Sequence, residues 1–226
     1  MPHDIDNHTV AKAYGRWAPI YDAVFGAVFA PGRAASIAAA ERIGGRFLEV
    51  GIGTGMSLPN YSPRNRIVGV DYSEPMLRKA QGRVRDHALA HVETLAVMDA
   101  QNLGFPDACF DAVMAQYVIT VVPDPEVALN ELVRVTKPGG EIILANHLGA
   151  EAGPRRIFEL GFAPIARRLG WRPEFPWARI AGWADKHGGV RLIERRPLAP
   201  FGHFSLIRFE RTAPLAAGRP AGLALS

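Results

Sequence analysis

A glycine-rich segment is the clearest chemical signal in the chain. Glu49 precedes three glycines spaced at every second residue, Gly51, Gly53 and Gly55. Glycine lets the backbone turn sharply and lets a ligand approach the main chain without a Cβ atom in the way. A dinucleotide site would place its third glycine at position 56, where this chain has Met56. The spacing therefore predicts a ligand-binding loop that departs from the dinucleotide pattern.

Two carboxylates follow the next two apolar segments. Asp71 ends one segment and Asp99 ends the next. The first carboxylate can accept hydrogen bonds from ribose hydroxyls, and the second could accept one from the exocyclic amine of adenine. Asp71 could instead be a turn or capping residue, although Ser73 suits the capping role better. Both carboxylates would lie at the carboxyl ends of parallel strands, where open α/β sheets bind ligands.

Short apolar segments alternate with helical patterns, which indicates βαβ units and a mostly parallel sheet. The last two predicted strands are too close for a crossover helix and should pair as an antiparallel hairpin. The predicted strands are 47–50, 67–70, 92–98, 110–118, 141–146, 190–194 and 204–209.

Two helices between these strands have recognisable ends. Ser73 can cap a helix that starts at Glu74, and Asp124 before Pro125 can open another. The second helix should stop at the turn formed by residues 137–140, Lys-Pro-Gly-Gly. The side chains predicted to face inward are Met76, Leu77, Ala80 and Val84 in the first helix, and Val127, Leu129, Leu132 and Val133 in the second.

Length and composition limit the class of protein. The 226 residues suffice for one α/β domain, and contents of 48% hydrophobic and 21% charged residues are typical of a globular fold. Cys109 is the only cysteine, which fits a reducing cytoplasm and leaves neither a disulfide nor a multi-cysteine metal site. The N-terminus lacks a secretory pattern, and no apolar run reaches the roughly 18 residues of a membrane span. We expect a cytoplasmic protein without a bound metal.

The formal charge of +4 is unevenly distributed. Residues 1–149 hold 13 Lys and Arg against 16 Asp and Glu, a net charge of −3. Residues 150–226 hold 13 against 6, a net charge of +7. This asymmetry indicates either an anionic partner, such as a lipid surface or nucleic acid, or a solvated basic face.

Five motifs in order resemble those of class I S-adenosylmethionine-dependent methyltransferases, over roughly residues 44–148. They are residues 49–55, Val70-Asp71, Met98-Asp99-Ala100, residues 110–113 (Phe-Asp-Ala-Val) and residues 134–140. The resemblance implies a Rossmann-like α/β fold, in which a seven-stranded, mostly parallel sheet has a reversed last strand and helices on both faces.

The same resemblance implies S-adenosyl-L-methionine as cofactor and S-adenosyl-L-homocysteine as its product. Asp71 would bind the ribose, Asp99 would lie near the adenine, and the glycine loop would lie beside the amino-acid portion. The cofactor-binding residues that we expect are Tyr21, Glu49, Gly51, Gly53, Gly55, Asp71, Tyr72, Met76, Met98, Asp99, Ala100 and Gln116.

The N-terminal region indicates which subclass of methyltransferases the chain resembles. Residues 14–33, together with the Leu58-Pro59-x-Tyr61 run, resemble the soluble bacterial phosphatidylethanolamine N-methyltransferases. Those enzymes make phosphatidylcholine by successive methylation of the ethanolamine headgroup. Quinone-ring C-methyltransferases share the Tyr-Asp and Lys-Pro-Gly-Gly elements and are the alternative. A further alternative is a non-catalytic, cofactor-binding module that binds RNA through the basic half, although no nucleic-acid motif supports it.

A lipid substrate predicts particular catalytic and membrane contacts. Residues 17–29 are spaced for an amphipathic helix, which either packs on the core or forms a lid that also enters the membrane interface. The ethanolamine nitrogen must lose a proton before it attacks, and His147 is the preferred acceptor or phosphate contact. We predict Tyr14, Tyr21 and His147 as catalytic residues, and Tyr21 could instead bind the cofactor's carboxylate. The predicted membrane or headgroup contacts are Trp17, Phe25, Arg33, Arg167, Arg168, Trp171 and Arg172.

The predicted organisation has three parts. A helical lid or membrane-contact region covers residues 1–43, and the methyltransferase domain covers 44–211 with a basic aromatic insertion at 150–189. A flexible tail covers 212–226. We expect a monomer that takes a phospholipid substrate, binds no nucleic acid, and associates peripherally and reversibly with the anionic inner leaflet of the cytoplasmic membrane.

Overall fold

The computed structural model describes residues 21–149, 175–199 and 202–212, with side chains from residue 26 onward. Its strands are β1 Arg46–Val50, β2 Arg66–Asp71, β3 Val92–Val97, β4 Phe110–Gln116, β5 Thr136–His147, β6 Val190–Leu198 and β7 Phe204–Arg211. Its helices in these ranges are α1 Tyr21–Ile43, α2 Glu74–Asp86, α3 Pro125–Val135 and α4 Trp177–His187.

The seven strands form one sheet in the order β3-β2-β1-β4-β5-β7-β6. Strands β1 to β5 pair in parallel, whereas β7 is antiparallel to both β5 and β6. The short β6–β7 connection permits only an antiparallel pair, which then reverses β7 against the rest of the sheet. The predicted fold class and the predicted terminal hairpin are confirmed.

Helices cover both faces of the sheet, as predicted. On one face, α1 and α2 bury Ile37, Ala40 and Leu77 against apolar side chains of β1, β2, β4 and β5. On the other face, α3 and α4 bury Leu132 and Trp183. Because the parallel strands are buried on both faces, their sequences read as continuous apolar runs rather than as alternating patterns.

Two local predictions about the helices are wrong. Ser73 stands at the N-cap position of α2, but its hydroxyl makes no capping bond, and Asp71 Oδ1 accepts from the Ser73 backbone N–H at 2.8 Å. Val127, predicted to face inward, is 41% exposed, and the neighbouring Ala128 is buried instead. The Asp124 cap of α3 is confirmed, because its Oδ1 accepts from the Val127 N–H at 3.2 Å.

All seven strands differ from the predicted bounds by at least one residue, and β6 extends to Leu198 rather than ending at 194. Strand β4 ends at Gln116 rather than at 118, because Tyr117 adopts a left-handed backbone conformation with φ of 63°. Strand β5 begins at Thr136, directly after α3, and its pairing with β4 is irregular through the predicted Lys-Pro-Gly-Gly turn. Gly139 in that turn has φ of 78°. The early end of β4 leaves residues 117–122 free to border the carboxyl edge of the sheet.

No helix within the described ranges is both long and apolar enough to cross a bilayer. Several predicted contact residues lie outside the described residues, as does the tail beyond residue 212. The backbone of Tyr21 and Phe25 starts α1, but their side chains also lie outside what the structure describes. The residues wholly outside are Tyr14, Trp17, Arg167, Arg168, Trp171 and Arg172.

Candidate active site

The glycine loop follows β1 at the carboxyl edge of the sheet. Gly51, Gly53 and Gly55 have φ of 71°, 57° and 74°, a left-handed conformation in which side chains are strained. A Cβ atom at Gly51 would overlap the Val118 side chain, and one at Gly55 would crowd α2. A Cβ atom at Gly53 would meet nothing within 4 Å. Gly51 and Gly55 therefore permit close packing, whereas Gly53 presents open backbone to a ligand.

This loop forms one wall of a cleft with about 390 Å³ of empty space. Four of the predicted cofactor residues border the cleft: Glu49, Gly51, Gly53 and Gln116. The opposite side is formed by Phe29 and Arg33 of α1 and by Tyr117, the residue that follows β4. The cleft thus lies where β1 and β4 diverge, which is the switch point of a doubly wound sheet.

Glu49 is a buried carboxylate at the bottom of this cleft and is 3% exposed. It accepts hydrogen bonds from the Ser57 hydroxyl at 2.8 and 2.9 Å, from the Tyr61 hydroxyl at 2.7 Å and from Gln116 Nε2 at 3.2 Å. Burial raises the pKa of Glu49 to about 7, although the hydrogen bonds from Tyr61 and Ser57 and the charge of Arg33 act in the opposite direction. The carboxylate ties the loop, β1 and β4 together.

Asp71 anchors the loop from the end of β2. Its Oδ2 accepts from the Gly53 N–H at 2.8 Å, and its Oδ1 accepts from the Ser73 N–H. Burial raises the pKa of Asp71, while these backbone donors act to lower it. Each carboxylate oxygen can accept a further hydrogen bond, so the geometry is compatible with a ribose contact.

The residues predicted around the adenosine lie on the β2–β3 side of the loop. Asp99 Oδ1 accepts from the Gln101 N–H at 2.9 Å, which sets the turn after β3. Met76 and Ala100 are buried, whereas Tyr72 is 36% exposed and Met98 is partly buried beside the core. Each of these assignments stays a prediction.

Phe29 and Tyr117 form an aromatic wall across the cleft, and sequence reasoning did not place Phe29 there. The rings of Phe29 and Tyr117 stack at a centroid distance of 4.0 Å, and Phe204 meets both edge-on at 5.8 and 5.2 Å. The Tyr117 hydroxyl donates to the Phe29 carbonyl at 3.3 Å. It lies so close to Gly32 that a Cβ atom there would overlap it. The available signal was Gly32 after Pro31, which permits this close approach to α1.

Arg33 also borders the cleft. It is half-buried and donates from its guanidinium to the Gly26 carbonyl at 2.6 Å. Arg33 was predicted as a membrane or headgroup contact, and its position beside the cleft places a cation near any bound anionic group.

His147 ends β5 and does not border the cleft. Its ring lies 6.1 Å from that of His203 with nearly parallel planes, and 6.3 Å from Phe204. Phe204 links this pair to the aromatic wall. The role of His147 in catalysis stays a prediction.

Comparisons with known proteins define the class to which this fold and cleft belong. Residues 48–144 match the family model described as a methyltransferase domain. Phosphoethanolamine N-methyltransferase 2 of Haemonchus contortus, in complex with S-adenosyl-L-methionine, matches with a TM-score of 0.67 at 18% identity, over 88% of this chain and 57% of that one. YcgJ of Bacillus subtilis matches with a TM-score of 0.66 at 17% identity, over 80% and 100%. These structures share the fold of this chain.

Relatives of known activity indicate which kinds of methyltransferase this chain resembles. The phosphatidylethanolamine N-methyltransferase of Cereibacter sphaeroides is 41% identical over 202 residues, which are 89% of this chain and 97% of that protein. The demethylmenaquinone methyltransferase of Thermobifida fusca is 33% identical, over 71% of this chain and 72% of that protein. The corresponding enzyme of Roseiflexus is 31% identical, over 81% and 89%. The chain therefore belongs to the S-adenosylmethionine-dependent methyltransferases and is an enzyme, and the non-catalytic alternative is set aside.

The described residues fit S-adenosylmethionine. The open backbone at Gly53 and the cleft beside Gly51 leave space for its amino-acid portion. Asp71 and Asp99 would hold the adenosine from the ends of β2 and β3. When bound, the cofactor supplies a methyl group on a positively charged sulfur.

Proposed function

We propose that the chain methylates the ethanolamine nitrogen of phosphatidylethanolamine in successive turnovers and so forms phosphatidylcholine. The observation that carries this proposal is the identity of 41% to the Cereibacter sphaeroides enzyme, which extends over 97% of that protein. The matches to quinone-ring methyltransferases are weaker, at 33% and 31%.

The cleft offers the two kinds of contact that this headgroup needs. Arg33 provides a guanidinium, which suits the phosphate group of the lipid. Phe29 and Tyr117 provide aromatic rings, whose faces attract an ammonium group as it gains methyl groups. A quinone ring would also pack on these aromatic rings, but it carries no phosphate group for the Arg33 guanidinium.

The transfer itself requires alignment and the removal of one proton. The ammonium of the headgroup first gives a proton to an acceptor, for which we retain His147, with Tyr14 and Tyr21 as further candidates. The neutral nitrogen then bonds to the methyl carbon while the carbon–sulfur bond breaks and leaves its electron pair on sulfur. The nitrogen takes the positive charge that the sulfur loses. Because the methyl group is already activated, the chain mainly aligns the reactants and excludes water.

We further propose that the chain works as a monomer bound reversibly to the inner leaflet of the cytoplasmic membrane. Residues 150–226 carry the net charge of +7. The edge strand β6 adds the exposed side chains of Leu192 and Ile193, whereas its Arg191 and Arg196 pair with Glu210 and Glu194. Basic residues contribute about 1 kcal/mol each at an anionic surface, and exposed apolar side chains add to the attachment.

Labelled S-adenosylmethionine with phosphatidylethanolamine vesicles that contain anionic lipid tests the proposal. The expected result is labelled mono-, di- and trimethylated lipid, with less product when the anionic lipid is left out. Absence of methylated lipid in the anionic vesicles would refute the proposed substrate.

A quinone precursor is the second candidate, because relatives with that activity span most of this chain. Methylation of demethylmenaquinone in detergent, without binding to vesicles, would favour this candidate over the lipid.

A further inference from the structure

Gln116 carries an unsatisfied hydrogen-bond acceptor at the border of the cleft. Its side chain is 7% exposed, and its Oε1 atom is buried without a hydrogen-bond partner among the residues that the structure describes. Its Nε2 atom donates to Glu49. A buried carbonyl oxygen without a donor is costly, and such atoms are rare in folded proteins. The atom therefore indicates a donor that arrives with a ligand.

Glu49 determines which way the amide of Gln116 faces. Gln116 Nε2 donates to Glu49 Oε1 at 3.2 Å, so the amide turns its NH2 group toward Glu49. The carbonyl oxygen then points away from Glu49. Ser57 and Tyr61 hold the carboxylate from the side of the loop. Because Gln116 lines the cleft, a bound ligand lies beside a neutral acceptor that the bond to Glu49 holds in place.

We propose that Gln116 Oε1 accepts a hydrogen bond from an N–H group of the ammonium that receives the methyl group, with Glu49 as its positioning residue. The inference rests on the proposed N-methyltransferase function. A neutral amide suits this task, because a carboxylate at the same place would stabilise the ammonium and oppose the loss of its proton.

The consequence is a site whose affinity for the lipid depends on whether its nitrogen carries an N–H bond. Each transfer replaces one N–H bond by an N–CH3 bond, so phosphatidylethanolamine and its mono- and dimethylated forms carry three, two and one N–H. Phosphatidylcholine carries none. A site built to hydrogen-bond an N–H rejects the analogue that lacks it, because its polar group then stays unpaired. Gln116 therefore retains the three substrates and favours release of the final product.

The α-ammonium group of the cofactor carries the same N–H chemistry. The cofactor's ammonium keeps the same number of N–H bonds as the headgroup is methylated. Experiments can therefore distinguish a Gln116 contact to the headgroup from a Gln116 contact to the cofactor. A contact to the headgroup affects the lipids according to their N–H count, whereas a contact to the cofactor affects the affinity for S-adenosylhomocysteine.

The first test needs no variant. In vesicles of equal lipid content, the inhibition constant of phosphatidylcholine is compared with the KM of the N,N-dimethylated lipid, which differs from it by one N–H. We expect phosphatidylcholine to bind about tenfold more weakly, the effect of one hydrogen bond to a charged group. Equal binding of the two lipids would overturn the inference.

The second test uses Gln116→Met, which keeps the length of the side chain and removes the acceptor. We expect the KM for the dimethylated lipid to rise about tenfold, with unchanged inhibition by phosphatidylcholine and an unchanged dissociation constant for S-adenosylhomocysteine. Asn146→Leu is the matched control, because Asn146 also has a buried, unpartnered amide but does not border the cleft. The control should leave the ratio of the two lipid constants unchanged.

The outcomes separate the two proposals. An equal weakening of phosphatidylcholine and the dimethylated lipid in Gln116→Met would overturn the inference, as would a weakening confined to S-adenosylhomocysteine. A wild-type chain that methylates none of the three lipids would refute the proposed function, and the inference would fall with it. Normal lipid methylation with an unchanged KM in Gln116→Met would refute the inference alone.

Discussion

The replacement of Glu49 by glutamine tests the electrostatics of the cleft. Glu49 is 3% exposed, and burial raises its pKa from 4.5 to about 7. The folded state therefore binds the proton more tightly than the unfolded chain does. The stabilisation that this proton provides is fully present below pH 4.5 and is lost as the pH rises through about 7. The difference between the two pKa values corresponds to about 3 kcal/mol.

Glu49→Gln has no titrating group at this position and so lacks this contribution. Urea unfolding of both cofactor-free proteins from pH 4.5 to 8 gives the free energy of unfolding at each pH. The value for the wild type minus that for Glu49→Gln should fall by about 3 kcal/mol across this interval, because other titrating groups cancel in the difference.

A difference that stays constant with pH would refute the reasoning, because it would mean that Glu49 titrates alike in the folded and unfolded states. Glu126→Gln is the control. The hydrogen bond from the Arg179 guanidinium lowers the pKa of Glu126, so its contribution to stability is present above the unfolded pKa and is lost only as the pH falls. The same subtraction for this control should show no fall from pH 4.5 to 8.

Two further predictions concern the loop. Asp71→Ala should abolish measurable binding of S-adenosylhomocysteine, since Asp71 both holds the Gly53 N–H and faces the predicted ribose site; unchanged affinity by calorimetry would refute the ribose assignment. Gly51→Ala should lower the free energy of unfolding by about 3 kcal/mol through backbone strain and overlap with Val118, whereas Gly53→Ala should cost only about 1 kcal/mol of backbone strain. Similar losses in both alanine variants, measured by urea unfolding, would contradict the packing argument.

The elements that could be predicted are those whose signals are local. Apolar runs that end in glycine or aspartate mark the parallel strands, and the short connection between β6 and β7 forces the hairpin. Proline and aspartate at the start of α3 mark its first turn. Asp71 could be placed at the carboxyl edge because it follows a buried strand.

The capping and burial errors have a common physical origin. Ser73 has the residue type of a cap, but its hydroxyl is buried and makes no hydrogen bond to the first turn of α2. Val127 fits a helical stripe, but the angle at which α3 meets the sheet buries Ala128 instead. The capping bond and the buried helix face both depend on where a neighbouring element lies. The periodicity of residues along one segment carries no information about that position.

The sequence by itself determined the sheet, the loop and the carboxylates that follow the strands, because residues within a few positions of one another carry that information. Only the tertiary structure decided what lies across the cleft. Phe29 and Arg33 reach it because α1 packs against β4 and β5, and Tyr117 meets them because β4 ends in a left-handed turn. The bond between Gln116 and Glu49 joins residues 67 positions apart. Such contacts depend on strand order and helix packing, and no local pattern encodes them.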